Sequence, residues 1–154
     1  MHTSEHGGEN GVRIGVYVCH CGTNIAGTVD VHAVTEHASA LSGVVVAREY
    51  KYMCSDPGQA LIKDDIREHG LNRIVVASCS PHLHERTFRG AVAAGGLNPF
   101  HFQMVNIREH VSWVHTDREA GTAKADALVR AAVRRVRHHK ALESRSVPVR
   151  GEVL

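Results

Sequence analysis

Two kinds of apolar pattern alternate along the chain. Residues 13–18, 44–49, 73–77 and 100–105 are short apolar-rich runs bounded by glycine, proline or polar residues, which is how strands read. Between and after them, apolar residues recur at three- and four-residue spacing, which places them on one face of a helix. The stripes are Val31, Val34, Ala38 and Leu41; Leu61, Ile62 and Ile66; Leu83, Phe88, Ala91 and Val92; and Ala125, Leu128, Val129, Ala132, Val133 and Val136. Asp30 is expected to cap the first helix. Asp56-Pro57-Gly58-Gln59 reads as a capping box with proline at the first helical position, and Ser80-Pro81 opens the third helix. Gly43, Gly70 and Gly95-Gly96 stop the three helices. Residues 108–115 read as a short helix and 118–142 as a long one. The alternation predicts an α/β fold of three layers: a mainly parallel four-stranded sheet, flanking helices and a long C-terminal helix.

Residues 1–11 show no apolar period and are expected to form a disordered leader. Residues 12–142 are expected to form the folded domain, and 143–154, with Pro148, a linker or tail. A 154-residue chain with 43% hydrophobic residues can bury one core. A net charge of +2 with 22% charged residues lacks the basic excess of a nucleic-acid binder. No apolar run approaches the roughly 18 residues that span a bilayer, so membrane insertion is not expected. The polar first residues lack a secretory pattern, and a cytoplasmic location is expected. In a reducing compartment, cysteines serve as ligands or redox groups more often than as disulfides.

The chain has four cysteines: Cys19 and Cys21 in a Cys-His-Cys-Gly stretch, Cys54 before Ser55-Asp56-Pro57, and Cys79 before Ser80-Pro81. Each follows an expected strand. A parallel sheet gathers the C-terminal ends of its strands at one edge, where ligands bind. If strand one lies between strands two and three, the four thiols converge there on a metal centre. Cys54 and Cys79 also precede helix starts, whose free N–H groups favour an anion and lower a thiol pKa below about 8.5. An iron–sulfur cluster is the leading occupant. A Cys₄ zinc site is the nearest rival, although structural zinc usually shows paired Cys-x₂₋₄-Cys ligands. Inert buried cysteines are the bland alternative for any one position.

Three stretches carry a closer likeness: Tyr17-Val-Cys19-His-Cys21-Gly-Thr-Asn24-Ile-Ala-Gly27, Glu49-Tyr-Lys-Tyr-Met-Cys54-Ser-Asp-Pro-Gly-Gln59 and Val75-Val-Ala-Ser-Cys79-Ser-Pro81. With Gly96-Leu-Asn-Pro99, Asn106-Ile-Arg-Glu-His110 and Trp113-Val-His115, they resemble the N-terminal domain of the heterodisulfide reductase A subunit in unbroken order. The resemblance implies the electron-transfer part of an oxidoreductase, with a [4Fe–4S] cluster held by Cys19, Cys21, Cys54 and Cys79. It implies a flavoprotein or iron–sulfur redox partner. The chain has no Gly-x-Gly-x-x-Gly, so FAD is expected only in a partner or a missing domain. Bond chemistry and a small-molecule substrate are not expected of this chain alone. The alternatives are a zinc-bound or metal-free interaction module of a redox complex, or a thiol enzyme using Cys54 or Cys79 as nucleophile.

Other residues receive plainer readings. His20, between two candidate ligands, could replace one or hydrogen-bond a cluster, but reads rather as a solvent-facing loop residue; His82 and His84, a few residues after Cys79, read in the same way. Asn24, Ser55 and Ser80 read as turn and helix caps. Arg130, Arg134, Arg135, Arg137 and Lys140 read as a solvated helix face, and Trp113 as core or interface.

Overall fold

The computed structural model describes residues 11–151. The expected leader falls almost wholly outside the described residues, as do the last three residues of the tail. The elements, in order, are β1 (Ile14–Cys19), α1 (Val31–Ser39), β2 (Val44–Tyr50), α2 (Asp56–Glu68), β3 (Arg73–Ser78), α3 (Pro81–Ala94), β4 (Phe102–Asn106), a π-helical segment (Arg108–Ser112) and α4 (Arg118–Val136). All strand pairings are parallel, in the order β2-β1-β3-β4. Strand β1 therefore lies between β2 and β3, the order that brings the first three strand ends side by side.

The alternation of β1 divides the core. Ile14, Val16 and Val18 face α1 and α4, packing with Val34, Val129 and Val133. Tyr17 and Cys19 face α2 and α3, with Ile62, Ile66, Phe88 and Val92. Both faces of the sheet are covered, as a parallel sheet requires. Each fully buried Val, Ile or Phe contributes about 1.5–3 kcal/mol, and their burial fixes the register that sets the strand ends level.

Polar groups on the α2 face are paired. Arg48 on β2 clamps Asp65 of α2 through two bonds, Nε to Oδ2 at 2.7 Å and Nη2 to Oδ1 at 2.8 Å. The Tyr17 hydroxyl donates to the same carboxylate. Burial, reinforced by Asp65, holds the Tyr17 phenol protonated far above its usual range.

Three local expectations change. At α2 the Ser55 cap holds, its Oγ accepting from Gly58 N at 3.4 Å, but the capping box and the proline placement shift: Asp56 is the first helical residue and Pro57 the second. Residues 108–112 adopt a π turn, with Ser112 N donating to Ile107 O at 3.2 Å and Trp113 N to Arg108 O at 2.9 Å. Helix α4 ends at Val136, short of 142. Its apolar stripe ends there, and the Arg73 guanidinium takes the Val136 and His139 carbonyls at 3.1 and 2.9 Å. Among the described residues, no helix is long and apolar enough to cross a membrane.

Candidate metal centre

The four cysteines line one cavity of about 50 Å³ at the C-terminal edge of the sheet, with Arg108, Phe88 and His84. Each arrives from a different piece of local structure. Cys19 is the last residue of β1, paired with Tyr50 of β2, and is buried. Its Sγ accepts two backbone N–H groups, from Cys21 at 3.2 Å and Met53 at 3.4 Å.

Cys21 follows a sharp reversal. It has φ +50°, in the left-handed region, and Gly22 follows at φ +64°. A non-glycine residue there is strained, and such strain concentrates at functional sites. The reversal is pinned by His20 N to Tyr50 O at 3.0 Å and Gly22 N to Lys51 O at 3.1 Å. A side chain at Gly22 would meet the Tyr52 hydroxyl at 2.9 Å.

Cys54 sits on the turn between β2 and α2. Gln59 Nε2 holds its carbonyl at 2.8 Å, and Ser55 Oγ donates to Tyr52 O at 2.6 Å. Cys79 is buried directly after β3, before the α3 cap, Ser80, whose Oγ accepts from His82 N at 3.2 Å. Cys54 and Cys79 thus stand immediately before helix caps, as the sequence implies.

The proton affinities of the two buried thiols, Cys79 and Cys19, are less simple. Burial pushes the Cys79 thiol up to about 11, only partly offset by Arg108, so it stands above its ordinary value rather than below it. Burial also raises the Cys19 thiol, against the pull of the Met53 and Cys21 N–H groups. A thiol raised in this way is a poor nucleophile at neutral pH. It becomes a thiolate when a cation displaces its proton.

Of the histidines, His84 lines the cavity, its ring edge-on to Phe88 at a centroid distance of 6.4 Å. His20 turns to Glu49, 3.2 Å away, whose other oxygen lies 3.2 Å from His32. Asn24 accepts from Trp113 Nε1 at 2.9 Å. Trp113 is 59% exposed, a surface residue rather than core. Arg130, Arg134, Arg135 and Lys140 are exposed, while Arg137 reaches Ser42 O at 2.9 Å.

Local sequence patterns do not single out two of the cavity residues. Arg108 donates from Nη1 to Cys21 Sγ at 3.5 Å. The Ser78 hydroxyl, on the cavity wall, is buried without a hydrogen-bond partner in the protein. Both follow from the sheet: Ser78 ends β3, and Arg108 comes two residues after β4. The rule that gathers function at strand ends applies to them as it does to the cysteines.

The donor set, four thiols with hydrogen-bond donors around them, fits an iron–sulfur cluster. Among the described residues, the set of three metal-capable side chains with ligand atoms within 4.8 Å of one another is Asp65, Glu68 and His69. Asp65 is already committed to Arg48. No three sulfurs of the four cysteines, all within the described residues, close to that distance. The unpartnered Ser78 hydroxyl and the Arg108 guanidinium are donors suited to sulfide and thiolate acceptors.

No family model matches the chain. Curated relatives do, among them the following three. The chain is 59% identical over 143 residues to the second iron-sulfur A subunit of CoB–CoM heterodisulfide reductase from Methanopyrus kandleri, covering 92% of this chain and 22% of that protein. It is 57% identical over 143 residues to the A subunit of H(2):CoB-CoM heterodisulfide,ferredoxin reductase from Methanothermobacter marburgensis, with the same coverage. It is 50% identical over 143 residues to a protein of Archaeoglobus profundus described as like the heterodisulfide reductase A subunit, covering 92% of this chain and 20% of that one. The chain thus spans about a fifth of the length of these relatives. Over nine-tenths of its own length the chain is similar to a segment of the heterodisulfide reductase A subunit, the family that its cysteine motifs resemble.

Proposed function

We propose that the chain is an electron-transfer domain in which Cys19, Cys21, Cys54 and Cys79 hold a [4Fe–4S] cluster. The observation that carries this is the meeting of four thiols in one cavity at the C-terminal edge of the sheet. When bound, such a cluster accepts and returns single electrons. The protein's part is to supply thiolates, exclude water and orient donors. Phe88 and the buried sulfurs of Cys19 and Cys79 keep the site dry. The N–H groups of Cys21 and Met53 stabilise the Cys19 thiolate. The strained Cys21–Gly22 reversal turns the second sulfur back towards the first.

On this reading the chain relays electrons to or from a flavoprotein or iron–sulfur partner in the cytoplasm, as one unit of a heterodisulfide reductase type of complex. Flavin chemistry belongs to the partner or to a further domain. The cysteine-bearing edge is the docking side, because transfer needs the partner close to the cluster.

Anaerobic purification with iron and sulfide analysis, together with EPR of the reduced chain, tests the reading. Iron and sulfide in equal amounts are expected, and Cys→Ser at each of the four positions should lower them. Zinc without sulfide would replace the cluster with the interaction-module reading. A variant that keeps full iron and an unchanged EPR signal would remove that cysteine from the ligand set.

A further inference from the structure

We propose that Arg108 acts through Cys21 as a positioning residue that raises the reduction potential of the cysteine site, and that Glu109 opposes it. The proposal rests on the iron–sulfur reading above.

Arg108 opens the π turn just after β4. The Asn106 side chain fixes this start by accepting from Arg108 N at 3.2 Å and Glu109 N at 3.0 Å. The Arg108 side chain is only 16% exposed, with its guanidinium 5.1 Å from the centre of the Trp113 ring. Glu109 Oε1 takes two arms of the fork, Nη2 at 2.7 Å and Nε at 3.3 Å. The third arm, Nη1, is aimed at Cys21 Sγ. Glu109 Oε2 is buried with no partner in the protein. An ion pair built only for stability would use both carboxylate oxygens side by side. Here one oxygen holds two arms of the guanidinium, which leaves the third N–H against the Cys21 sulfur and the balancing carboxylate on the far side.

Charge decides the sign of the effect. An electron from a flavin or iron–sulfur partner adds one negative charge to the site, with no bond formed and no proton required. The nearer Arg108 cation stabilises that added charge, and its N–H donated to the ligand sulfur does the same. Glu109, one residue further and behind the guanidinium, works against it. The two neighbours should therefore shift the potential in opposite directions when neutralised. Loss of a purely structural contact has no reason to produce that pattern.

The experiment is an EPR-monitored redox titration of the anaerobically reconstituted chain, alongside iron and sulfide counts for every variant. Arg108→Gln should move the midpoint negative by about tenfold in the one-electron equilibrium, which is about 59 mV. Arg108→Lys keeps the charge and should move it less. Glu109→Gln should move it positive. Full iron and sulfide with an unchanged midpoint in Arg108→Gln would overturn the proposal, as would shifts of the same sign in Arg108→Gln and Glu109→Gln. If Arg108→Gln fails to hold iron, Glu109→Gln decides: a positive shift supports the proposal, and none or a negative one overturns it. A wild-type chain without iron and sulfide would instead fail the iron–sulfur reading itself.

Discussion

The Tyr17 hydroxyl donates to Asp65 Oδ2 at 3.1 Å, two residues below Cys19 on the same face of β1. Arg48 closes the other side of the carboxylate, so one buried acid ties α2 to β1 and β2 beneath the cysteine cavity. Tyr17→Phe should cost about 1.5–3 kcal/mol, the loss of one hydrogen bond to a charged group. Asp65→Asn should cost more, because it strips the partner from Arg48 and weakens the Tyr17 contact. That cost is held below the roughly 3–5 kcal/mol of a fully buried pair by Arg48, whose side chain is 42% exposed. Urea midpoints of the two variants check the order. An Asp65→Asn protein as stable as Tyr17→Phe would show that water takes over the Arg48 charge.

Gly58, in the first turn of α2, presses on the turn that carries Cys54. A Cβ there would lie 2.5 Å from Met53 O and 2.6 Å from Tyr52 O, both backbone atoms that cannot swing aside. Gly58→Ala should therefore displace the turn, drawing the Met53 N–H away from Cys19. The expected cost is about 1–3 kcal/mol, with lower iron retention. Gly90, inside α3, has nothing within 4 Å of the same built atom. Gly90→Ala should stabilise by about 0.5–1 kcal/mol and leave iron content alone. Equal behaviour of the two alanines would refute the packing argument.

His101 and His139 give the fold a pH dependence away from the cysteines. Burial lowers the affinity of both for a proton. Arg73 adds to this at His101, as does Arg135 at His139, while the Phe100 carbonyl partly offsets it at His139. Each therefore binds a proton more readily in the unfolded chain. Stability should be full above the unfolded value of about 6.5 and decline as pH falls below it. His32 is fully exposed, and Glu49 and Glu36 raise it, so it works in the opposite sense. Urea midpoints at about pH 7.5 and 5.5, either side of that value, should fall less in a His101→Gln/His139→Gln double variant than in the wild type. Parallel declines would assign the effect elsewhere.

Tyr52, Leu83 and Trp113 are 49%, 58% and 59% exposed, and stand on or against the loops that carry the cysteines. Trp113 is tied to that edge through Asn24. If the partner docks there, Leu83→Asp and Trp113→Ala should reduce co-purification of a flavoprotein or iron–sulfur protein from the host, with iron content kept. Arg134→Ala and Arg135→Ala, on exposed positions of α4, should leave it unchanged. The reverse result would move docking to the basic helix.

The layers are legible in the sequence because the signals are local and consistent. Val31, Val34 and Ala38 repeat at helical spacing behind an Asp30 cap, and all three are buried. The shared cysteine edge is legible from topology, once β1 is taken to lie between β2 and β3. The end of α4 is not, because Arg73, distant in sequence, captures its last carbonyls. The π turn is hidden for a similar reason, since its Asn106 brace and its contact with Cys21 exist only after β4 joins the sheet. The rise of the Cys79 thiol is hidden too. A helix start can be read from Ser80-Pro81, but the depth at which the sulfur sits cannot.

On the proposed iron–sulfur reading, the cysteine positions also set an order of events. Cys19 and Cys79 are separated by two complete crossovers, and they become neighbours only when β3 docks against β1. A chain released as far as residue 70 has three of its thiols but no fourth wall. On that reading, the complete ligand set therefore forms only once the central strands have paired. The metal would then act as an inspection stamp: only a chain with its topology complete could carry it, and a misthreaded one would remain colourless.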